Sequence, residues 1–227
     1  MNHLLISLHL PKTGGNSFLQ ALQSAFGSSL RQDYSDMSRI QGYLTGELTA
    51  QEIAEPQIEA IEHGTRCIHG HFLPAKYISI EDQFELQFVT WLRNPVDRLV
   101  SHYNFFRRSY DPATAGPLFR RIIEEDWSLE KFCFSDEYRN VYSKYLWHFP
   151  YERFDFVGLI ECYDEDLDFF SRRFLDTTVK ASKLNCAVSG DEAGTRIDIG
   201  FRREVAGFHA DDVALYERAL HEREQRV

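Results

Sequence analysis

The chain has 227 residues, of which 43% are hydrophobic and 14% aromatic, enough apolar material for one substantial core. With 25 Lys and Arg against 35 Asp and Glu, the formal net charge is −10, so the surface as a whole repels nucleic acid polymers. We therefore expect a single domain over residues 1–227 that does not bind long nucleic acids.

The sequence also indicates whether the protein spans a membrane, binds a metal or contains disulfides. No uncharged apolar run reaches the roughly 18 residues that a membrane-spanning helix needs, which argues against a membrane span. The four cysteines lie far apart in the sequence, which predicts neither a disulfide framework nor a metal site. The opening segment MNHLLISLHLPK lacks the basic and long apolar parts of a signal peptide, so we expect a reduced, cytoplasmic protein.

Hydrophobic periodicity predicts strands and helices that alternate along the chain. The predicted strands cover residues 3–9, 66–69, 86–92 and 154–160. The predicted helices cover residues 17–26, 49–63, 95–108, 117–125, 129–134, 139–147, 164–175 and 211–223. Residues 177–195 have no clear period and are predicted to form a long loop. Strands separated by helices favour a parallel sheet covered on both faces, so the predicted class is α/β.

A glycine-containing loop, PKTGGNSF, lies between the first predicted strand and its helix at residues 11–18. At such a junction, backbone N–H groups and the positive end of the helix dipole favour an anion. Gly14 and Gly15 let the backbone approach an oxyanion, and Lys12 adds a mobile positive charge. Further donors come from the polar side chains of Thr13, Asn16 and Ser17. Lys12 precedes the glycines, whereas the nucleoside-triphosphatase loop places its lysine after them.

Arginine is concentrated between positions 93 and 121, with only Asp97 and Asp111 as acidic residues in that stretch. The arginines are Arg93, Arg98, Arg107, Arg108, Arg120 and Arg121. This pattern fits either a local anion site or a solvated helix face. Arg107 and Arg108 in particular either bind an anionic acceptor or lie at a helix end, where positive charge favours the dipole.

Three motifs together resemble those of sulfotransferases that use 3′-phosphoadenosine 5′-phosphosulfate (PAPS). The loop PKTGGNSF resembles the family's 5′-phosphosulfate loop, and LRNPVDRLVSHYNFF at residues 92–106 resembles its 3′-phosphate motif. Between them lies IHGHF at residues 68–72, and this order is most similar to the heparan and uronyl 2-O-sulfotransferase branch. Residues 156–170 resemble that branch's late strand and following helix, and residues 215–220 its last helix. The segment at 183–190 loosely resembles a loop over the nucleotide.

The resemblance implies a P-loop-like fold, PAPS as co-substrate, a hydroxyl acceptor of carbohydrate type and no metal. It also implies that residues 12–17 hold the 5′-phosphosulfate, while Arg93 and Ser101 hold the 3′-phosphate. Lys12 would then stabilise the leaving oxygen, and His71 would be the general base. An imidazole with a pKa near 6.5 suits that role at neutral pH, and turnover is then expected to rise between about pH 6 and 7.

Several alternatives remain open at this stage. His69 lies two residues before His71 on the same predicted strand face, so it could orient the acceptor or serve as the base. The whole chain could instead be a P-loop small-molecule kinase, or a nucleotide-binding module without chemistry. The aromatic residues Tyr103, Phe105 and Phe106 are interpreted as core, and His148 and His209 as structural.

Overall fold

The computed structural model describes residues 2–49, 61, 63–175 and 197–226. Within these residues, five parallel strands form one sheet in the order β2-β3-β1-β4-β5. The strands are β1 (Asn2–Leu8), β2 (Leu30–Asp33), β3 (Cys67–Gly70), β4 (Phe84–Leu92) and β5 (Phe154–Leu159). Because all five strands run in one direction, their carboxyl ends lie at the same edge of the sheet.

Helices connect the strands and cover both faces of the sheet. Their bounds are α1 (Gly15–Phe26), α2 (Met37–Thr45), α3 (Ala75–Ile78), α4 (Pro95–Ser109), α5 (Pro117–Glu124), α6 (Leu129–Cys133), α7 (Val141–Tyr145), α8 (Tyr163–Phe174), α9 (Ile199–Phe208) and α10 (Ala210–Arg226). Short 3₁₀ turns lie at Gly27–Ser29, Asp136–Tyr138, Tyr151–Arg153 and Ile160–Cys162.

Side-chain alternation along the central strand divides the core in two. In β1, Leu4, Ile6 and Leu8 face one core, while Leu5 faces a second core beneath α1. Phe18 and its helical neighbours fill that second core because they recur on one side of α1. A strand buried on both faces reads as a continuous apolar run, which is why β1 and β4 were detectable in the sequence.

Trp91 of β4 shows how tightly the second core is packed. Its ring lies edge-on to Phe18 and Phe156, with centroids 5.2 and 5.6 Å away, and tilted against Tyr163 at 4.7 Å. A Cβ added to Gly158 of the neighbouring strand would lie 2.5 Å from the Trp91 ring. Glycine at this position therefore makes room for the indole.

The α/β class and parallel sheet predicted from the sequence are confirmed. Helix α4 begins as predicted, with Pro95 in its first turn and the Asn94 side chain accepting from the Val96 N–H at 3.1 Å. A helix lies within the predicted range 139–147 but is shorter, because Asn140 takes a left-handed conformation (φ 49°) and α7 covers only Val141–Tyr145. Elements β2, α2, α3 and α9 were not predicted.

Some predictions fall outside the described residues. These are most of the helix at 49–63, the loop at 177–195 and the segment at 183–190. Among the residues that are described, no helix is both long and apolar enough to cross a membrane. Cys67, Cys133 and Cys162 are free thiols.

Candidate functional site

The loop after β1 leads directly into the N-terminus of α1 at the carboxyl edge of the sheet. Gly14 takes a left-handed conformation (φ 74°), and its missing side chain leaves space for Ile160. The first backbone hydrogen bond of the helix runs from Phe18 N–H to Gly14 O at 3.1 Å. The N–H groups before it have no acceptor within the helix, which is the arrangement that binds phosphate or sulfate oxygens.

Lys12 lies at the start of this loop with φ 67°, a left-handed conformation that is uncommon for a residue with a side chain. Its ammonium nitrogen lies 4.4 Å from the ring centroid of Phe105 on α4. In the part of the chain that the structure describes, Phe105 is one of the few exposed large apolar side chains, at 38% exposure. The unusual backbone thus directs Lys12 across the loop toward α4, where cation–π contact helps to hold it.

Thr13 corrects one expectation about the loop. Its side chain is buried, and its hydroxyl donates inward to the Leu10 carbonyl at 2.9 Å. A hydroxyl has a single proton to donate, so this side chain stabilises the loop instead of offering a donor to an anion. Asn16 is exposed in the first turn of α1 and Ser17 is partly buried there, so both lie where the sequence places them.

Arg93 directly follows β4, and Ser101 lies buried two turns into α4. Among the described residues, the structure gives no hydrogen bond or ion pair to the Arg93 guanidinium. Its backbone is held on both sides by Tyr142 of α7, whose hydroxyl donates to Arg93 O at 2.8 Å and accepts from Arg93 N–H at 3.1 Å. The strand end is therefore fixed while its charged group remains available to a ligand.

Tyr142 is in turn anchored from two directions. Its backbone N–H donates to the Asp212 carboxylate at 3.0 Å, and the guanidinium of Arg98 lies 5.4 Å from its ring centroid. Arg98 is fully buried, and among the described residues its three guanidinium nitrogens have no hydrogen-bond partner. Burial raises the pKa of Asp212, while the charge of Arg98 acts against that shift.

Three other arginines of the cluster have partners of their own. Arg107 pairs with Asp126 at 2.9 Å, Arg121 pairs with Glu137, and Arg120 donates to the Pro112 carbonyl at 2.9 Å. Their bonding fits the solvated-surface interpretation for these three. Arg93 is the member of the cluster whose position suits an anion site.

Three histidines stack at the ends of β1 and β3. The His9 ring lies between the other two, with its centroid 4.2 Å from that of His71 and 5.2 Å from that of His69, both at an interplanar angle of 21°. The Nδ1 of His71 donates to the backbone carbonyl of His9. His69 is almost completely buried, and its Nδ1 bonds to the Ser7 hydroxyl at 2.8 Å. His69 and His71 thus both contact the His9 ring, as expected if their side chains point to the same side of the chain.

Burial keeps all three imidazoles neutral at neutral pH. The loss of hydration lowers the pKa of His71 from 6.5 to about 4, although its bond to the His9 carbonyl acts in the opposite direction. Burial and the nearby His71 lower the pKa of His69 to about 3, and burial with the neighbouring histidines lowers that of His9 well below its ordinary value. The expectation of a mildly perturbed His71 near pH 6 to 7 is therefore wrong, because a partly enclosed ring titrates at lower pH.

Aromatic side chains border His71. The Tyr34 ring meets it edge-on with centroids 5.3 Å apart, and the Tyr145 ring does so at 6.5 Å. Beyond Tyr34, Lys76 is buried between Asp33 and Asp36 at 2.5 and 2.7 Å, and the Tyr77 hydroxyl donates to Asp33 at 2.5 Å. This buried ion-paired cluster anchors the end of β2 beside the histidines.

The other histidines and aromatic residues singled out in the sequence lie in different environments. His209 is buried, bonds to Cys133 O at 2.7 Å and accepts from Asn140 N–H at 3.2 Å, which fits a structural role. His148 is exposed. Phe106 is buried as expected, but Phe105 is not part of the core and instead contacts Lys12. Among the described residues, no group of three or more His, Cys, Asp or Glu side chains is arranged to hold a metal ion.

Sequence reasoning missed His9, Tyr142 and Tyr34. His9 was read as the last residue of a strand, and only the alternation of Ser7 and His9 on one face of β1 could have placed it beside the loop. Tyr142 and Tyr34 come from α7 and from the segment after β2, whose contacts with the site depend on the tertiary fold.

Comparison with solved structures reveals similar folds. A crystal structure of a sulfotransferase from Alicyclobacillus acidocaldarius is similar at a TM-score of 0.50 and 17% identity, covering 97% of this chain and 96% of that one. Mouse sulfotransferase SULT7A1 complexed with PAP is similar at a TM-score of 0.41 and 12% identity, covering 75% and 56% respectively. The similarity to the bacterial protein shows a shared fold. No protein-family model and no curated protein matches the sequence.

Proposed function

We propose that the protein is a sulfotransferase that moves the sulfuryl group of PAPS to a hydroxyl group of a saccharide acceptor. One observation carries the proposal: a helix N-terminus with Lys12, the guanidinium of Arg93 and a neutral His71 all follow parallel strands at one edge of a sheet. The shared fold with the bacterial sulfotransferase supports the same reaction class. A kinase or a module without chemistry is not favoured.

The residues at this edge suit a doubly anionic nucleotide. The first turn of α1, with Gly15, Asn16 and Ser17, would hold the 5′-phosphosulfate through backbone N–H groups. Arg93 and Ser101 would hold the 3′-phosphate, since a guanidinium binds phosphate through two parallel hydrogen bonds and a hydroxyl adds another donor. The available Arg93 guanidinium is the observation that supports this fit.

Lys12 is proposed to stabilise the leaving group. When the bond between sulfur and the bridging oxygen breaks, negative charge develops on the 5′-phosphate oxygen. A cation on the loop that holds this phosphate favours the transition state more than the ground state. The left-handed backbone at Lys12 and its contact with Phe105 support a fixed position for that charge.

His71 is proposed as the general base. Its Nδ1 donates to a carbonyl, so its Nε2 carries the lone pair that can accept the acceptor's hydroxyl proton. Burial keeps the ring neutral above about pH 4, and therefore ready to act at pH 7. His69 lies deeper, with Nδ1 on Ser7 and almost no exposure, which favours a supporting role over contact with the acceptor.

The saccharide class rests on the resemblance to the 2-O-sulfotransferase branch. The ring of Tyr34 beside His71 supports it, because aromatic faces pack well against the apolar faces of sugars. Other hydroxyl acceptors with a flat apolar face would pack equally well against the Tyr34 ring. The test must therefore compare several acceptor classes.

The decisive experiment combines donor binding with transfer. Purified protein is incubated with sulfur-labelled PAPS and a panel of neutral sugars, uronate oligosaccharides, phenols and lipids, and the labelled product is identified. In parallel, 3′-phosphoadenosine 5′-phosphate should raise the melting temperature by mass action. Arg93→Ala should weaken this binding roughly 30- to 1000-fold, as expected when a charged partner of a phosphate is removed.

Arg172→Ala is the matched control, because Arg172 is exposed and bonds to the carboxylate and the carbonyl of Asp168 on α8. Equal binding by the parent, Arg93→Ala and Ser101→Ala would contradict the 3′-phosphate assignment. Phosphate transfer from ATP that EDTA abolishes and magnesium restores, without sulfation, would replace the proposal with the kinase alternative.

A further inference from the structure

His9 is the residue that physically joins the phosphate-binding loop to the proposed base. It directly follows β1, and only Leu10 separates it from Pro11, the first residue of the loop. Its carbonyl accepts from His71 Nδ1, and its ring covers a face of the His71 ring with centroids 4.2 Å apart. Both its backbone and its side chain therefore contact the same imidazole.

These two contacts determine how His71 is presented. A backbone carbonyl can only accept a hydrogen bond, so Nδ1 of His71 must carry the proton. Stacking against His9 opposes rotation of the His71 ring, because rotation would break both the hydrogen bond and the ring contact. The lone pair on Nε2 is thereby held in one direction.

The His9 ring also contacts Gly15, the first residue of helix α1. A Cβ added to Gly15 would overlap the His9 ring, with Nε2 and its two neighbouring carbons the nearest atoms. The backbone of Gly15 therefore packs directly on the imidazole. The His9 ring lies in contact with the anion-binding turn and with the base at once, and its Nδ1 is buried without a hydrogen-bond partner among the described residues.

We infer that His9 is a positioning residue, whose ring packs between Gly15 and His71 and holds the His71 imidazole with Nε2 directed to the acceptor. This inference rests on the proposed function in one respect, namely that His71 is the base. The ring itself, and not its hydrogen-bonding atoms, performs the positioning. A displacement of about 1 Å at a reacting group can cost on the order of 100-fold in rate, which sets the scale of the effect.

The test is a double-mutant cycle between His9→Ala and Gly15→Ala. In the parent, the methyl group of Gly15→Ala displaces the His9 ring and should lower kcat about 10- to 100-fold. His9→Ala should lower kcat by a similar factor, with the Kd of 3′-phosphoadenosine 5′-phosphate changed less than about 3-fold. Once the ring is removed, the methyl group has space, so Gly15→Ala should cost less than about 3-fold in the His9→Ala background.

Two further variants distinguish the packing of the His9 ring from the hydrogen bonding of its nitrogens. His9→Asn keeps polar atoms near those of the imidazole but has no ring, so it should be as slow as His9→Ala. His3→Ala is the control, since His3 is an exposed histidine at the opposite end of β1 that pairs with Glu85. It should leave kcat and the melting temperature close to those of the parent.

Nitrogen NMR of labelled histidines gives a readout that does not depend on catalysis. In the parent, His71 should show the Nδ1–H tautomer, and in His9→Ala and Gly15→Ala it should become a mixture of tautomers. If the parent transfers no sulfuryl group but this tautomer shift occurs, the proposed function fails and the positioning role stands. The inference is overturned by additive effects in the cycle or by a parent-like kcat in His9→Asn. It is also overturned if the His71 tautomer is unchanged in Gly15→Ala, and this last result is informative even if His9→Ala does not fold.

Discussion

The burial of His71 leads to a prediction about how the rate depends on pH. Enclosure lowers the pKa of this imidazole from 6.5 to about 4, because the charged ring would lose its hydration. That difference corresponds to about 3 kcal/mol between the two protonation states. If His71 is the base, the free enzyme should hold it in the active, neutral form over the whole range from pH 8 down to about 5.

The predicted difference is large enough to measure. At pH 5.5, a base with an ordinary pKa of 6.5 would be only about 9% deprotonated, whereas one with a pKa of about 4 would be about 97% deprotonated. The assay is kcat/KM for the donor against pH, since this ratio reports the free enzyme. Binding of 3′-phosphoadenosine 5′-phosphate over the same range corrects for titration of the phosphates themselves. A tenfold loss per pH unit that begins near pH 6.5, with binding and folding intact, would refute the reasoning.

Protein stability gives a second measure of the same pKa. Because the pKa of His71 is lower in the folded than in the unfolded protein, its contribution to stability is complete above pH 6.5 and is lost as pH falls toward 4. Urea unfolding at several pH values should therefore show a smaller pH dependence in His71→Asn, by about 1.4 kcal/mol per pH unit between those limits. An identical pH dependence in parent and variant would contradict the depressed pKa.

Three further predictions test other parts of the site and fold. Tyr142→Phe removes only the hydroxyl that holds the Arg93 backbone, so 3′-phosphoadenosine 5′-phosphate should bind about 5- to 20-fold more weakly by calorimetry; parent-like affinity would remove Tyr142 from the site. Gly158→Ala places a methyl group 2.5 Å from the Trp91 ring and should lower the free energy of unfolding by about 1 to 3 kcal/mol in urea, whereas an unchanged midpoint would show that the indole can move. Lys12→Ala should lower kcat far more than donor affinity, because its charge acts mainly on the leaving oxygen; a change in KM alone would assign it to binding.

The class of fold could be derived from the sequence because its signals are local. Continuous apolar runs mark β1 and β4, since strands buried on both faces need apolar residues at every position. Turn chemistry marks the junctions, as at Asn94-Pro95 before α4. Strand β2 was not predicted, because only Asp33 of its four residues is buried and that residue is ion-paired to Lys76. The left-handed conformation of Asn140, which delays the start of α7, also has no distinct sequence signal.

For the candidate site, too, the sequence indicates the local segments and the tertiary structure adds the contacts between them. The loop at 11–18, the Arg93 strand end and the HGH segment are each a short stretch of sequence, so residue type and spacing were enough to propose them as site residues. What the tertiary structure alone decided is which groups surround them. The stacking of His9 on His71, the hydroxyl of Tyr142 on the Arg93 backbone and the low pKa of His71 all depend on contacts between residues 49 to 62 positions apart. Desolvation and packing are properties of the folded environment, so no local pattern of residues can specify them.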